Sequence, residues 1–397
     1  MFCCVKNITR LYDSLLDKTK QYAQELSPAL LNNLVLIGCA ILVKETVNLN
    51  KLKNLVAVLL DSRDTQTDSH YRRLTRFFHH PIAKRKLWKW LIVWMVDYVK
   101  QWDGRSMTCY LTLDGTSWQF GKHHIHLLVL SLVYRGVSLP LYWVNLAKKG
   151  HSSQRERIRL IQQANKLYPL KGMCILADRE YVGKDWFKFL TDNAIYFIVR
   201  LTKQDYKHEI SKGRRRYGSL LKSAINNHLC GQWFELEQQR YQFVALHHHD
   251  ANNTTDPLVL LISNTSWSHR QIADRYRIRW YTECLFKHLK SNGFELEELG
   301  MTSLPKIRLL VAILVVLYVL CVGEGFRQFH KIRGKHKHDP AKDFVAREAV
   351  FRRGYSVVAR ELANVAQFVD WLLTRLDQPL RIPKRLIWLT PEMNVQY

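Results

Sequence analysis

The chain has 397 residues, 47% hydrophobic and 12% aromatic, with only 17 Gly and 10 Pro; this excludes a disordered or fibrous protein and calls for one large interrupted domain or several smaller ones. Sixty Lys and Arg against 34 Asp and Glu leave a net charge of +26, so the expected partner is a polyanion, either nucleic acid or an anionic membrane surface. The longest apolar run, 309–322, has 14 residues. That is short of the roughly 20 that cross a bilayer, so the membrane is set aside and a buried helix expected.

Residues 1 to about 100 read as helical. Leu30, Leu31, Leu34, Ile37 and Ile41 recur at helical spacing after Pro28, which suits a helix start. From Tyr71 to Val96 there are seven basic residues and no acid, among them Arg72, Arg73 and Arg76, with aromatics interleaved. The run fits either a solvated helix face or a DNA-binding surface. The N-terminus lacks the basic-then-apolar layout of a secretory signal, so a cytoplasmic protein is expected. Eight cysteines occur without a C-x-x-C pair, which argues against a zinc ribbon or a disulfide framework.

From Cys109 the hydrophobic period becomes two. Strands are predicted over 109–114, 125–133 and 139–145, then a helix over 154–167 after the His151-Ser152-Ser153 cap. A strand over 173–178, a helix near 184–193 and a strand over 194–201 follow. The order β-β-β-α-β-α-β places helices against a mixed sheet. Residues 203–256 break the rhythm with a basic stretch and a predicted hairpin, and read as a β-rich insertion. A buried strand over 257–263 and helices from Ser268 to Cys321 complete the domain, and a basic helical tail follows. The domains expected are 1–104, 105–325 and 326–397.

Asp114 and Asp178 each end an apolar strand. An ionised carboxylate there is costly unless it is paired, hydrogen-bonded or metal-bound. Either alone fits a helix cap or turn residue; together they could form a hard oxygen site suited to Mg²⁺. A sharper pattern lies in Asp274–Lys290. At about 100° per residue, Tyr276, Arg279, Glu283 and Lys290 fall at roughly 0°, 300°, 340° and 320°, within one sector, and Lys287 joins them. Ile278, Leu285 and Leu289 take the opposite side. The helix therefore has a dry face and a face carrying one carboxylate among cations, although an amphipathic surface helix would show the same division.

The spacing Y-x2-R-x3-E-x6-K at Tyr276, Arg279, Glu283 and Lys290 resembles the signature of DDE transposases of the insertion-sequence-four group. Asp114-Gly115-Thr116 and Asp178-Arg179-Glu180-Tyr181 are similar to that family's two aspartate motifs. The order and the separations, 64 residues from 114 to 178 and 105 from 178 to 283, also fit. The resemblance implies an RNase H-like fold, interrupted by the β-rich insertion, between a helical N-terminal DNA-binding region and a helical C-terminal tail. It implies that Asp114, Asp178 and Glu283 are catalytic and hold two Mg²⁺ ions, with Mn²⁺ substituting. One ion would activate water or a 3′-OH and the other would steady the leaving oxygen. Tyr276, Arg279 and Lys290 would contact DNA phosphates near the cleaved end.

The implied activity is cleavage and strand transfer at the terminal inverted repeats of an insertion sequence, on double-stranded DNA, by a homodimer associated with the bacterial nucleoid. Several of the group pass through a hairpin intermediate and stack a flipped base on a tryptophan of the inserted segment. Trp233 is the first candidate here and Trp118 the second, with a core role as the other reading of each. An RNase H-like nuclease without strand transfer and an inactive transposase-derived DNA-binding protein are the alternative functions. Glu180 reads as an extra ligand or as a residue behind the site. His124 and His126 share a strand face, but no Cys or Asp partner accompanies them as metal ligands.

Overall fold

The computed structural model describes residues 26–60, 66–100, 110–134, 136–146, 148, 150–206, 217–236, 238–247, 257–291, 293–335, 350–363 and 365–377. These divide into two compact units. One draws on 110–117 and 126–285, the other on 26–100, 118–125 and 286–377.

The first of these units is built on an eight-stranded sheet in the order β3-β2-β1-β4-β5-β8-β7-β6. Its strands are β1 (Tyr110–Phe120), β2 (His123–Tyr134), β3 (Val137–Asn145), β4 (Cys174–Ala177), β5 (Tyr196–Leu201), β6 (Leu229–Leu236), β7 (Gln239–His247) and β8 (Leu258–Ser263). The tip of the β1–β2 hairpin, 118–125, belongs to the other unit. β1, β4 and β5 run parallel, whereas β2–β3, β5–β8, β7–β8 and β6–β7 pair antiparallel. Parallel neighbours need a crossover, and the helix at Lys184–Asp192 supplies it between β4 and β5. The helix Gln154–Asn165 starts on a Ser153–Glu156 capping box and precedes β4.

A buried cluster of Cys174, Leu176, Ile198, Val244, Val259, Leu261, Ile272 and Tyr276 joins strands β4, β5, β7 and β8 to the helix His269–Tyr276. The hairpin expected inside 203–256 is present as β6 and β7. It extends the main sheet, because β7 pairs with the edge that β8 would otherwise leave open. The helix Tyr217–Asn227 precedes it. The basic residues Lys207, Lys212 and Arg214 to Arg216 of that segment lie outside the described residues, as do Cys109 and the N-terminal residues on which the cytoplasmic expectation rests.

The second unit is helical. In chain order its helices and those of the sheet unit are α1 (Pro28–Lys44), α2 (Leu49–Leu59), α3 (Thr67–His79), α4 (Trp88–Lys100), α5 (Gln154–Asn165), α6 (Lys184–Asp192), α7 (Tyr217–Asn227), α8 (His269–Tyr276), α9 (Trp280–Lys290), α10 (Leu304–Lys335), α11 (Val350–Leu362) and α12 (Val365–Asp377). A single turn at Lys203–Asp205 completes the set. From Leu309 to Val322 α10 is apolar all round, so that stretch must be covered on every side. Helices α1 and α4 cover it from the N-terminal part of the chain and α11 from the C-terminal part. A Cβ on Gly354 of α11 would run into the carbonyl of Cys321 on α10, so the two backbones meet where only glycine fits.

The N-terminal helices, residues 286–325 and the described part of the tail fall in one compact unit. The 14-residue apolar run lies inside a 25-residue segment, Leu304–Gln328, whose most apolar 18-residue window has a mean hydropathy of 2.6 and which by length and composition could cross a bilayer. However, 89% of its apolar window is buried inside the protein, as a core helix requires.

Candidate active site

The register of the sheet brings the two aspartates together. Leu113 of β1 pairs with Ala177 of β4 in a parallel ladder, and the next residues are Asp114 and Asp178. Parallel neighbours lie about 4.8 Å apart, so both carboxylates arise just beyond the β1–β4 ladder on adjacent strands. Asp178 follows the end of β4, but Asp114, expected to end its strand, lies in the middle of β1, which runs on to Phe120. Thr112 and Asp114 share a face of β1, because side chains alternate along a strand. Thr112 Oγ1 lies 2.5 Å from Thr282 Oγ1 of α9, which is 3.1 Å from Ser138 Oγ of β3. All three hydroxyls are buried. This chain of bonds anchors α9 over β1 and β3 and places the following residue, Glu283, on the side of Asp114.

The segment 269–290 is not one helix. α8 ends at Tyr276, a 3₁₀ turn spans Arg277–Arg279, and α9 starts at Trp280. A uniform angular step therefore fails across the turn. Tyr276 sits in the core cluster at 3% exposure, with its hydroxyl 3.5 Å from Asp178 Oδ1. Arg279 reaches the carboxylates instead: Nη1 donates to Asp114 Oδ2 at 3.3 Å and Nη2 to Glu283 Oε1 at 2.5 Å. Asp114, Asp178 and Glu283 are thus gathered by two residues of the same segment.

Other side chains complete the surroundings. Glu180 Oε2 lies 2.8 Å from His151 Nδ1, and His126 Nε2 sits where a Cβ on Gly115 would be, so the glycine after Asp114 admits the imidazole. Arg157 of α5 is 4% exposed. Its Nη2 donates to the carbonyls of Glu180 and Ser152 at 2.6 Å, its Nη1 to the Val182 carbonyl at 3.2 Å and its Nε to Ser152 Oγ at 2.9 Å. The guanidinium also lies 5.1 Å from the Tyr181 ring centroid. It holds the backbone that follows Asp178 in one conformation. Sequence reasoning missed Arg157 and took His151 for a helix cap; the only signal for Glu180 was its place two residues after Asp178.

Burial dominates the electrostatics. It pushes Asp114 up from 3.8 to about 7, against the lowering effect of Arg279 and of the Gly115 N–H, and Glu180 and Asp178 add to the rise. Burial and then the charges of Asp114 and Glu180 hold the Tyr181 phenol well above its ordinary value. For Arg279, burial alone would lower the pKa, but Tyr276, Asp178, Asp114 and Glu283 outweigh it and raise it. His126 is lowered by burial, with Glu180 opposing.

In kind, the carboxylate oxygens suit a hard divalent cation. In position they do not: among the described residues no group of three His, Cys, Asp or Glu side chains is placed to hold an ion. The guanidinium of Arg279 bridges Asp114 and Glu283 instead.

The remaining predicted residues lie elsewhere. Lys287 is exposed on α9, and Lys290 pairs with Glu297 at 2.9 Å. Arg72 and Arg76 are exposed on α3, and Arg73 is half-buried, with its Nε donating to Asn33 Oδ1 of α1 at 2.7 Å. Trp118 is 7% exposed on β1. Trp233 is 43% exposed on β6, with the Arg240 guanidinium 5.1 Å from its ring centroid.

A mixed α/β fold with two aspartates just past a parallel ladder and a glutamate on an adjacent helix, linked through Arg279 and Tyr276, is suited to enzymes whose chemistry centres on clustered acids. Residues 103–320, more than half the chain, match the transposase DDE domain, and the chain belongs to this family. DDE transposases are DNA-transposing enzymes that use divalent metal ions. Among solved structures the chain is similar to piggyBac transposase, seen by cryo-EM in a synaptic complex with hairpin DNA, at 11% identity and a TM-score of 0.49. The likeness covers 98% of this chain and 83% of that one. No curated protein matches the chain in sequence.

Proposed function

We propose that this transposase, of the insertion-sequence-four group, binds the terminal inverted repeats of its element and cleaves and rejoins their phosphodiester bonds at Asp114, Asp178 and Glu283. The observation that carries this reading is the convergence of those three acids, two at matched positions of a parallel ladder and one on α9, through Arg279 and Tyr276. The first five strands of the sheet, in the order 3-2-1-4-5 from its β3 edge with β1, β4 and β5 parallel, support an RNase H-like core. Mg²⁺, as two ions with Mn²⁺ substituting, is the proposed cofactor, and when bound it would supply positive charge for in-line displacement at phosphorus. The protein acts as a homodimer on double-stranded DNA in the nucleoid.

The chain's own groups perform defined tasks. Thr112, Thr282 and Ser138 hold Glu283 opposite Asp114. Arg157 fixes the turn after Asp178. Arg72, Arg76, Lys287 and Lys290 hold phosphates, and Arg279 is the group nearest the reacting centre that can pair with one bidentately. Exposed Trp233 presents a ring for base stacking, the step a hairpin route would need.

A strand-transfer assay with paired end DNA tests the reading. Wild type yields joined products. Asp114→Asn and Glu283→Gln lower cutting by at least roughly 100-fold while a gel shift with the same DNA persists. Nicks without joining would make the protein a nuclease, and shifted but uncut DNA would make it a binder.

A further inference from the structure

We infer that Arg279 is a built-in counter-ion that competes with the divalent cation, so the carboxylate site closes on the protein's own guanidinium when no DNA is bound. The inference rests on the reading of Asp114, Asp178 and Glu283 as metal ligands. It starts from the mismatch noted above: donors of the right kind, brought together but not placed to hold an ion.

Both oxygens of Asp114 are already engaged. Oδ1 accepts the Gly115 N–H at 2.8 Å and Oδ2 accepts Arg279 Nη1 at 3.3 Å. Glu283 gives Oε1 to Arg279 Nη2 at 2.5 Å. An inner-sphere Mg²⁺ ligand must approach within about 2.1 Å of the ion. A guanidinium and a divalent ion held against the same two carboxylates would repel each other and compete for the same negative charge, so each weakens the binding of the other.

The pair with Arg279 is well suited to this role. The Arg279 and Asp114 side chains are only 15% and 17% exposed, so an ionised carboxylate there would be costly without a cation beside it. Arg279 supplies that cation without metal. Its position in the 3₁₀ turn between α8 and α9 frees it from the regular helical ladder, and such turns mark points where a helix can change direction. Substrate phosphates offer the guanidinium an equivalent bidentate partner. On this account Arg279 is a positioning residue: it preassembles the carboxylates and then yields them.

Mn²⁺ binding to the full chain without DNA, read from the electron-paramagnetic-resonance signal of the free ion, is the test. Arg279→Ala binds Mn²⁺ tighter than wild type by roughly tenfold or more, because a competing cation is gone. Arg279→Lys keeps a charge but cannot span both carboxylates, and it falls between the two; it decides the matter if the alanine variant does not fold without metal. Asp114→Asn abolishes the site in every background. Equal or weaker Mn²⁺ binding by the Arg279 variants, still dependent on Asp114, overturns the competition and leaves the proposed function standing. No Asp114-dependent binding in any variant overturns both.

Discussion

Asp114 is the residue where burial and chemistry meet. In the unfolded chain its carboxyl titrates near 3.8 and in the fold near 7, chiefly because burial disfavours the charged form. Between those values the folded protein keeps the proton and the unfolded chain does not. Stability conferred by this group is therefore greatest at low pH, falls as pH rises through the window and levels off above it. In metal-free buffer, wild type should lose up to about 4 kcal/mol more stability than Asp114→Asn between about pH 4 and pH 8. Urea midpoints for the two proteins across that range give the comparison, and parallel curves would show that the folded carboxyl titrates normally. Asp114 and Asp178 were legible as candidates because a charged residue closing an apolar run is a visible anomaly, and Glu283 because it is the carboxylate among cations on one helix face. The guanidinium that bridges two of them was not, because Arg279 carries no mark in the sequence separating a carboxylate partner from a phosphate partner.

Among the elements, the strands were the easiest to read, since β3, β4, β5 and β8 are largely apolar runs; β1 was legible only as far as Asp114 and runs on through polar residues to Phe120. Their register was not: Leu113 facing Ala177 depends on contacts 64 residues apart in sequence, and only that pairing brings Asp114 level with Asp178. The β6–β7 hairpin was found but not its place in the sheet, because an alternating pattern does not say which edge it will join. The 3₁₀ turn at Arg277–Arg279 escaped for a related reason, since regular periodicity shows no break where three residues tighten. What holds α9 in place is the Thr112–Thr282–Ser138 chain, buried and 170 residues apart at its first link. Replacing Thr282 by Val strands two buried hydroxyls and should cost about 1–3 kcal/mol in chemical denaturation. It should also lower DNA cutting more than DNA binding, because Glu283 loses its support but the basic surfaces remain. Thr282→Ser keeps the hydroxyl and should recover most of both; an equally inactive serine variant would assign the role to the methyl group's packing instead.

At the scale of the whole chain, the excess of +26 is distributed over residues with different duties, and composition cannot separate them. Arg72, Arg73 and Arg76 share the helix α3, yet only Arg72 and Arg76 are exposed, while Arg73 ties α3 to α1 through Asn33. This difference has a measurable consequence. Each phosphate neutralised by a side chain releases counterions and contributes about −0.9 to the slope of log affinity against log salt. Arg72→Ala and Arg76→Ala should each make the slope shallower by about 1 with duplex DNA, with little change in thermal stability. Arg73→Ala should do the reverse: it keeps the wild-type slope but lowers stability by about 1 kcal/mol, through the lost bond to Asn33. Fluorescence anisotropy over a salt series, run beside thermal melts of the three variants, distinguishes the two duties. Identical slopes for all four proteins would move the DNA surface off α3, and the excess charge would then have to engage phosphates through other elements, among which exposed Lys287 on α9 is the first to replace.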